Sequence, residues 1–135
     1  MAIQLSTAVR NARLDAIESA VGTDAIMKLR TGAQPANCAA ADSGTVCATL
    51  NLPSDWMAAA SGGVKSKSGT WQETSADAAG TIAHYRIYAS DGVTCHLQGS
   101  VTITGGGGDL TVDNPVVALA QVITVTAYDL TDANS

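Results

Sequence analysis

The chain has 135 residues, of which 46% are hydrophobic, yet 24 of them are Ala and none is Phe. Leu, Ile and Val number 9, 7 and 11, so the apolar side chains able to build a core are few, and part of the stability is expected to come from association. The formal charge is −5. All of that deficit falls in residues 87–135, where Asp91, Asp109, Asp113, Asp129 and Asp132 meet no Lys or Arg, so no basic footprint for nucleic acid is present. No apolar run approaches the ~20 residues of a membrane span, and the N-terminus lacks the basic and apolar segments of a secretory signal.

Residues 1–22 read as a short apolar arm, Met1–Leu5, followed by an amphipathic helix. Ser6 is its expected N-cap, Thr7–Val21 its body and Gly22 its stop. Val9, Ala12, Ala16, Ile17, Ala20 and Val21 form a stripe at helical spacing, expected to pack on the sheet, with docking on a neighbouring subunit as the alternative. Arg10 and Arg13 lie within reach of Asp15 and Glu18 on the polar side.

From Ala25 the period becomes two. Ala25, Met27 and Leu29 alternate with Ile26, Lys28 and Arg30, which predicts a strand. Thr31–Gly44 reads as a loop, Val46–Leu52 as a second strand ended by Pro53. Ser54–Ala60 reads as a helical turn capped by Ser54, Ser61–Gly69 as a loop, and Thr70–Glu73 as a short strand. Thr81–Tyr88 and Val93–Gln98 are the clearest strands, joined at Asp91-Gly92 as a hairpin. Val101–Thr104, Leu110–Val112, Val116–Leu119 and Val122–Tyr128 complete the set, with Gly105–Gly108 as a flexible turn. The sum is a mainly β chain: a jelly roll or β-sandwich of about eight short antiparallel strands with one N-terminal α-helix, residues 23–135 forming one compact domain with the helix.

No constellation for chemistry assembles. Closing the hairpin on Asp91-Gly92 pairs Ile87 with His96 and turns His84 and His96 to opposite faces; a one-residue slip puts them on one face but ~13 Å apart. Neither arrangement holds one metal ion. Gly105–Gly108 and Gly62–Ser66 are not followed by helical patterns, so no phosphate loop is expected. Asp109 and Asp113 flank a short strand, but scattered acids do not single them out as a glycosidase pair. No cofactor and no catalytic or metal-binding residue is assigned. Cys38, Cys47 and Cys95 make an odd set; Cys38 and Cys47 could close a short loop if oxidised, and free thiols are expected. Trp56 and Trp71 are expected to fill the core, or, if exposed, to anchor an interface or stack on sugar.

Four segments carry a resemblance: AIQLSTAVRNARLDAIESAVG (2–22), LRTGAQPANC (29–38), LPSDWMAAASGGVKSKSGTW (52–71) and GDLTVDNPVVALAQVITVTAYDL (108–130). They resemble small virion structural proteins of tailed bacteriophages, and among these the chain looks similar to capsid decoration or cement proteins. The resemblance implies a non-enzymatic shell component, made in the bacterial cytoplasm and carried on the capsid exterior. Its implied partners are the major capsid protein and further copies of itself, without nucleic acid or membrane. The contact region is expected at Ile3, Leu5, Val9, Arg10, Arg13 and Ile17, with Trp56. The alternative is a tail-associated or receptor-binding, carbohydrate-binding module.

Overall fold

The computed structural model describes residues 3–133, so Met1 and Ala2 of the expected arm lie outside the described residues. Helix α1 spans Thr7–Val21. The Ser6 hydroxyl accepts from the Val9 amide at 3.3 Å, and the Gly22 amide donates to Glu18 at 2.9 Å. Gly22 ends the helix at φ 89° and ψ −177°, a conformation that a side chain disfavours.

Ten short strands follow: β1 (Ile26–Thr31), β2 (Val46–Asn51), β3 (Val64–Ser66), β4 (Trp71–Glu73), β5 (Gly80–Tyr88), β6 (Cys95–Ile103), β7 (Leu110–Val112), β8 (Val116–Val117), β9 (Ile123–Val125) and β10 (Asp129–Thr131). The main sheet runs β2-β1-β5-β6-β7, with β8 also paired to β5. Two small sheets, β10-β3 and β4-β9, complete a sandwich-like, mainly β architecture. One pair departs from the antiparallel expectation: β6 and β7 run parallel, Val101 beside Leu110.

That parallel pair explains the four glycines at 105–108. The chain leaves β6 at Ile103 and must double back to re-enter beside Val101 within six residues, far shorter than an ordinary crossover. Gly105 and Gly107 take φ of 88° and 79°, while a Cβ on Gly106 or Gly108 would stand 2.8 Å from the Thr102 side chain. The segment is therefore a packed turn, with the Gly108 amide on the Thr102 hydroxyl at 3.0 Å. Gly106→Ala is expected to lower stability by ~1–2 kcal/mol, and Thr102→Ala in the same chain to recover little of it, because the added Cβ stands 2.8 Å from the Thr102 Cβ, which alanine keeps, and 3.0 Å from Ile103 O. Thermal melts of the two variants check this; equal melting of wild type and Gly106→Ala would refute the packing argument.

The hairpin register is a hybrid. Near the turn Ala89 bonds Thr94 and Tyr88 lies opposite Cys95, as the Asp91-Gly92 centre predicts. A bulge between Ile87 and Tyr88 then shifts the pairing, so Ile87 faces Leu97 and His84 faces Ser100. β6 also runs unbroken through Gly99, where the sequence pattern suggested two segments; a Cβ there would stand 2.7 Å from the Tyr85 ring.

The core lies between the main sheet and the small sheets. Met27, Leu29, Leu50 and Ile87 from the main sheet have no exposed surface, and neither do Trp56 and Trp71. Four aromatic rings supply the volume that the missing Phe would have: Trp56–Trp71 at 6.0 Å, Trp71–Tyr128 at 5.2 Å and Tyr85–Tyr128 at 5.6 Å edge to face. Their polar atoms are answered inside. Trp56 Nε1 donates to Gly22 O at 3.0 Å, Trp71 Nε1 to Ser68 O at 3.1 Å, and the Tyr85 and Tyr128 hydroxyls bond each other at 2.8 Å. These tyrosine hydroxyls thus meet in the core. The helical turn expected at 54–60 does not form. Its backbone is extended: Met57 bridges Lys67, and the Ala58 amide bonds Ser66 O at 2.8 Å.

Candidate docking surface

The geometry of α1 reverses the expected packing. Its buried apolar residues are Leu14 and Val21 alone, and the rest of the inward face is polar. Asn11 accepts from the Gly63 amide at 2.9 Å, Asp15 from the Ala60 amide at 2.9 Å, and Glu18 from the Met57 amide at 3.3 Å. Three side chains of the helix thus satisfy backbone donors of the extended 57–63 segment, as a neighbouring strand would. Beneath them lies Lys65, 1% exposed, whose Nζ stands 2.7 Å from Asp15 Oδ1, 2.8 Å from Glu18 Oε2 and 2.9 Å from Ala58 O. The hydrogen bond from Lys65 first, then that from the Ala60 amide, hold the Asp15 carboxyl below its ordinary range. Lys65 is pushed down by burial and more strongly up by its two carboxylates, so its ammonium is retained.

With the polar face inward, Val9, Ala12, Ala16 and Ala20 point to solvent, contrary to the expectation that this stripe covers the sheet. Arg10 and Arg13 do not pair with Asp15 and Glu18 either. They turn to the C-terminal segment: Arg10 Nη1 donates to Asp132 O at 3.0 Å, and Arg13 Nε stands 3.2 Å from Asp132 Oδ2. Between the helix and Thr131–Ala133 lies an open cleft of about 460 Å³ lined by Arg13, Leu14, Ala16 and Ile17.

Of the contact residues expected from the sequence, Ile3 is 84% and Val9 46% exposed. Arg13 is exposed at the cleft edge, Ile17 is half-buried in its wall, and Leu5 and Arg10 are half-buried. Trp56 does not belong with them. It has no exposed surface, because its ring stacks in the aromatic core and its indole caps the end of α1. Trp71 is equally enclosed, so neither tryptophan offers the sugar platform of the alternative reading. The sequence pattern did not single out a second apolar patch, Val116, Leu119 and Val122, each more than half exposed along the β8–β9 connection.

The opposite face of the main sheet carries a buried polar layer. Arg86, 1% exposed, donates from Nη2 to Asn37 O and Cys38 O at 3.0 Å each, from both terminal nitrogens to Ala40 O, and from Nη1 to Asp42. Arg30 reaches Asp42 at 2.9 Å, and the Tyr88 hydroxyl donates to Asp42 at 2.7 Å. Burial raises the Asp42 carboxyl, but the bonds from Tyr88 and Arg86 outweigh it and leave it below the ordinary value. Burial, then the bond to Asp42, pushes the Tyr88 hydroxyl up to about 12. His84 is fully buried, bonded through Nδ1 to Gly32 O at 2.9 Å, and burial lowers its pKa. These charges tie the 32–44 segment to the sheet. Asp109 and Asp113 are likewise engaged nearby, Asp109 on the Ser100 amide and hydroxyl, Asp113 on the Thr104 hydroxyl.

Among the described residues, no three His, Cys, Asp or Glu side chains group as a metal site, and no helix is long and apolar enough to cross a membrane. Comparison of the chain with protein-family models, curated proteins and solved structures gave no match.

Proposed function

We propose that this protein is a non-enzymatic structural component that docks on a larger assembly through the outer side of α1, as a capsid decoration or cement protein of a tailed bacteriophage would. The single observation that carries the docking half of this reading is the inverted helix. Its polar side is spent on Lys65 and on backbone amides, while Ile3, Val9 and the alanine row face outward. A helix held by its polar face keeps its apolar stripe available for burial elsewhere. The particle half rests on the four segments resembling phage virion proteins. In this reading the partners are the major capsid protein and other copies of the chain on the capsid exterior, and apolar burial across subunit boundaries strengthens the shell without chemistry.

The test pairs stoichiometry with one surface change. In purified particles the chain is expected at a copy number equal to, or a simple fraction of, that of the major capsid protein, measured by quantitative mass spectrometry. Val9→Glu with Ala16→Glu is expected to reduce occupancy on stripped shells at least tenfold, with an unchanged melting temperature, since both positions face solvent. Undiminished occupancy would remove α1 as the contact. A few copies per particle, or none, would remove the shell reading itself.

A further inference from the structure

We infer that Cys38 and Cys95 form a redox-modification site, in which a low-molecular-weight disulfide oxidises the two thiols to an internal disulfide that staples the 32–44 segment onto β6. The placement comes from the hydrogen bonds that lay this segment across the sheet. Gln98 Nε2 donates to Pro35 O at 2.7 Å, and Arg86 Nη2 donates to Cys38 O at 3.0 Å. Arg86 and Gln98 are register partners, and the next outward-facing pair toward the hairpin is Tyr88 with Cys95. Tyr88 in turn donates to Asp42 in the same segment. The segment is thus pinned on both sides of Cys95, which brings Cys38 next to it, while the Cys95 thiol donates to Leu97 O at 3.3 Å. Both cysteines are half-buried and free, so a small reagent can reach them.

Cys47 is excluded from the pair. It is fully buried in β2, with its sulfur against Gly80, so the short Cys38–Cys47 loop considered from sequence spacing is replaced by a long-range Cys38–Cys95 link.

The exchange balances without a further reactant. One cysteine, as its thiolate, attacks the reagent RSSR, forms a mixed disulfide and releases RS⁻, which takes a proton to become RSH. The second cysteine loses its proton to solvent and attacks the protein-bound sulfur of the mixed disulfide, releasing a second RSH. Two protein thiols are oxidised, and RSSR is reduced to two RSH. Burial first, then the adjoining Cys38, holds the Cys95 thiol up at about 11, so closure quickens as pH rises. A link between residues 38 and 95 closes a long loop, which restricts the unfolded chain most. The pair does not depend on the capsid reading, and its test is independent of any particle.

The reduced full chain is treated with glutathione disulfide at mildly alkaline pH, and peptides are mapped by mass spectrometry without reduction. A Cys38–Cys95 peptide is expected, with a melting temperature raised by ~10 °C and restored by dithiothreitol. Cys47→Ser should retain both effects, and Cys95→Ser should abolish both. Two separate glutathione adducts without closure, or a Cys38–Cys47 peptide, would overturn the pairing. A Cys38–Cys95 peptide with unchanged melting would overturn the staple.

Discussion

Arg86→Met is expected to destabilise the protein by about 2–4 kcal/mol, chiefly because several backbone carbonyls lose their buried donor, the Asp42 carboxylate being 39% exposed and able to reach water. Arg86 is the hub on which the 32–44 segment hangs: its terminal nitrogens serve Asn37, Cys38 and Ala40 carbonyls and the Asp42 carboxylate. Methionine fills similar space but donates nothing, so these acceptors must find water or shift. Asp42 would keep Arg30 and Tyr88, which is why the strands themselves should survive. Urea titration is expected to show a lower midpoint, and hydrogen exchange to show 33–44 opening ahead of β1 and β5. Arg86→Lys should rescue little, because one ammonium cannot reproduce a planar fork bonded in several directions at once. A loss below 1 kcal/mol, with 33–44 still protected, would mean that the segment is held by its own turns and not by Arg86.

The sequence made the boundaries of α1 legible to the residue, because Ser6 and Gly22 act locally. Of the strands read from alternation, β1, β2, β5 and β7 lie within a residue or so of their expected spans, whereas the strand expected at Val122–Tyr128 ends at Val125 and pairing resumes only at Asp129–Thr131. What escaped was settled by partners far along the chain. β3 lies inside a stretch read as a Gly/Ser/Lys loop, and three residues carry no usable period; it is a strand because β10, more than sixty residues later, pairs with it. The inversion of α1 has the same origin. Apolar spacing correctly marks a stripe on the helix, but which side turns inward is decided by Lys65, whose buried ammonium requires Asp15 and Glu18. Alternation likewise marks one apolar face on β1 and β5 and leaves Arg30, His84 and Arg86 on the other. That face is buried because the 32–44 segment supplies Asp42 and backbone carbonyls for it. For the candidate surface, Ile3, Val9, Arg13 and Ile17 were readable as helix or arm positions, whereas Trp56 was assigned by residue type and belongs to the core.

Asp15→Asn with Glu18→Gln is expected to destabilise the protein more than Lys65→Met does, although both break the same clamp. The amides remain acceptors for the Ala60 and Met57 backbone donors, so the double variant removes little beyond charge. It leaves the Lys65 ammonium, with a side chain only 2% exposed, without an anion, whereas the carboxylates left by Lys65→Met are 47% and 22% exposed and reach water. The expected fall in melting temperature is roughly 10 °C or more for the double variant and a few degrees for Lys65→Met. Their pH dependences separate further. In the native protein Asp15 titrates below its ordinary 3.8, so its contribution is present above that pH and lost as pH falls through the lowered value. Lys65 titrates above its ordinary 10.5, so its contribution is present below that pH and lost as pH rises through the raised value. The native clamp is therefore flat between pH 5 and 9. In the double variant burial acts on Lys65 without its carboxylates, which drives its folded-state pKa below the unfolded one, and stability should then rise from pH 7 toward 10 as the lysine sheds its proton. Urea midpoints at pH 7 and pH 9.5 decide it. A double variant with a flat profile, or one no less stable than Lys65→Met, would mean that Lys65 finds water after the carboxylates are gone and that the inward face of α1 is held by its backbone contacts instead.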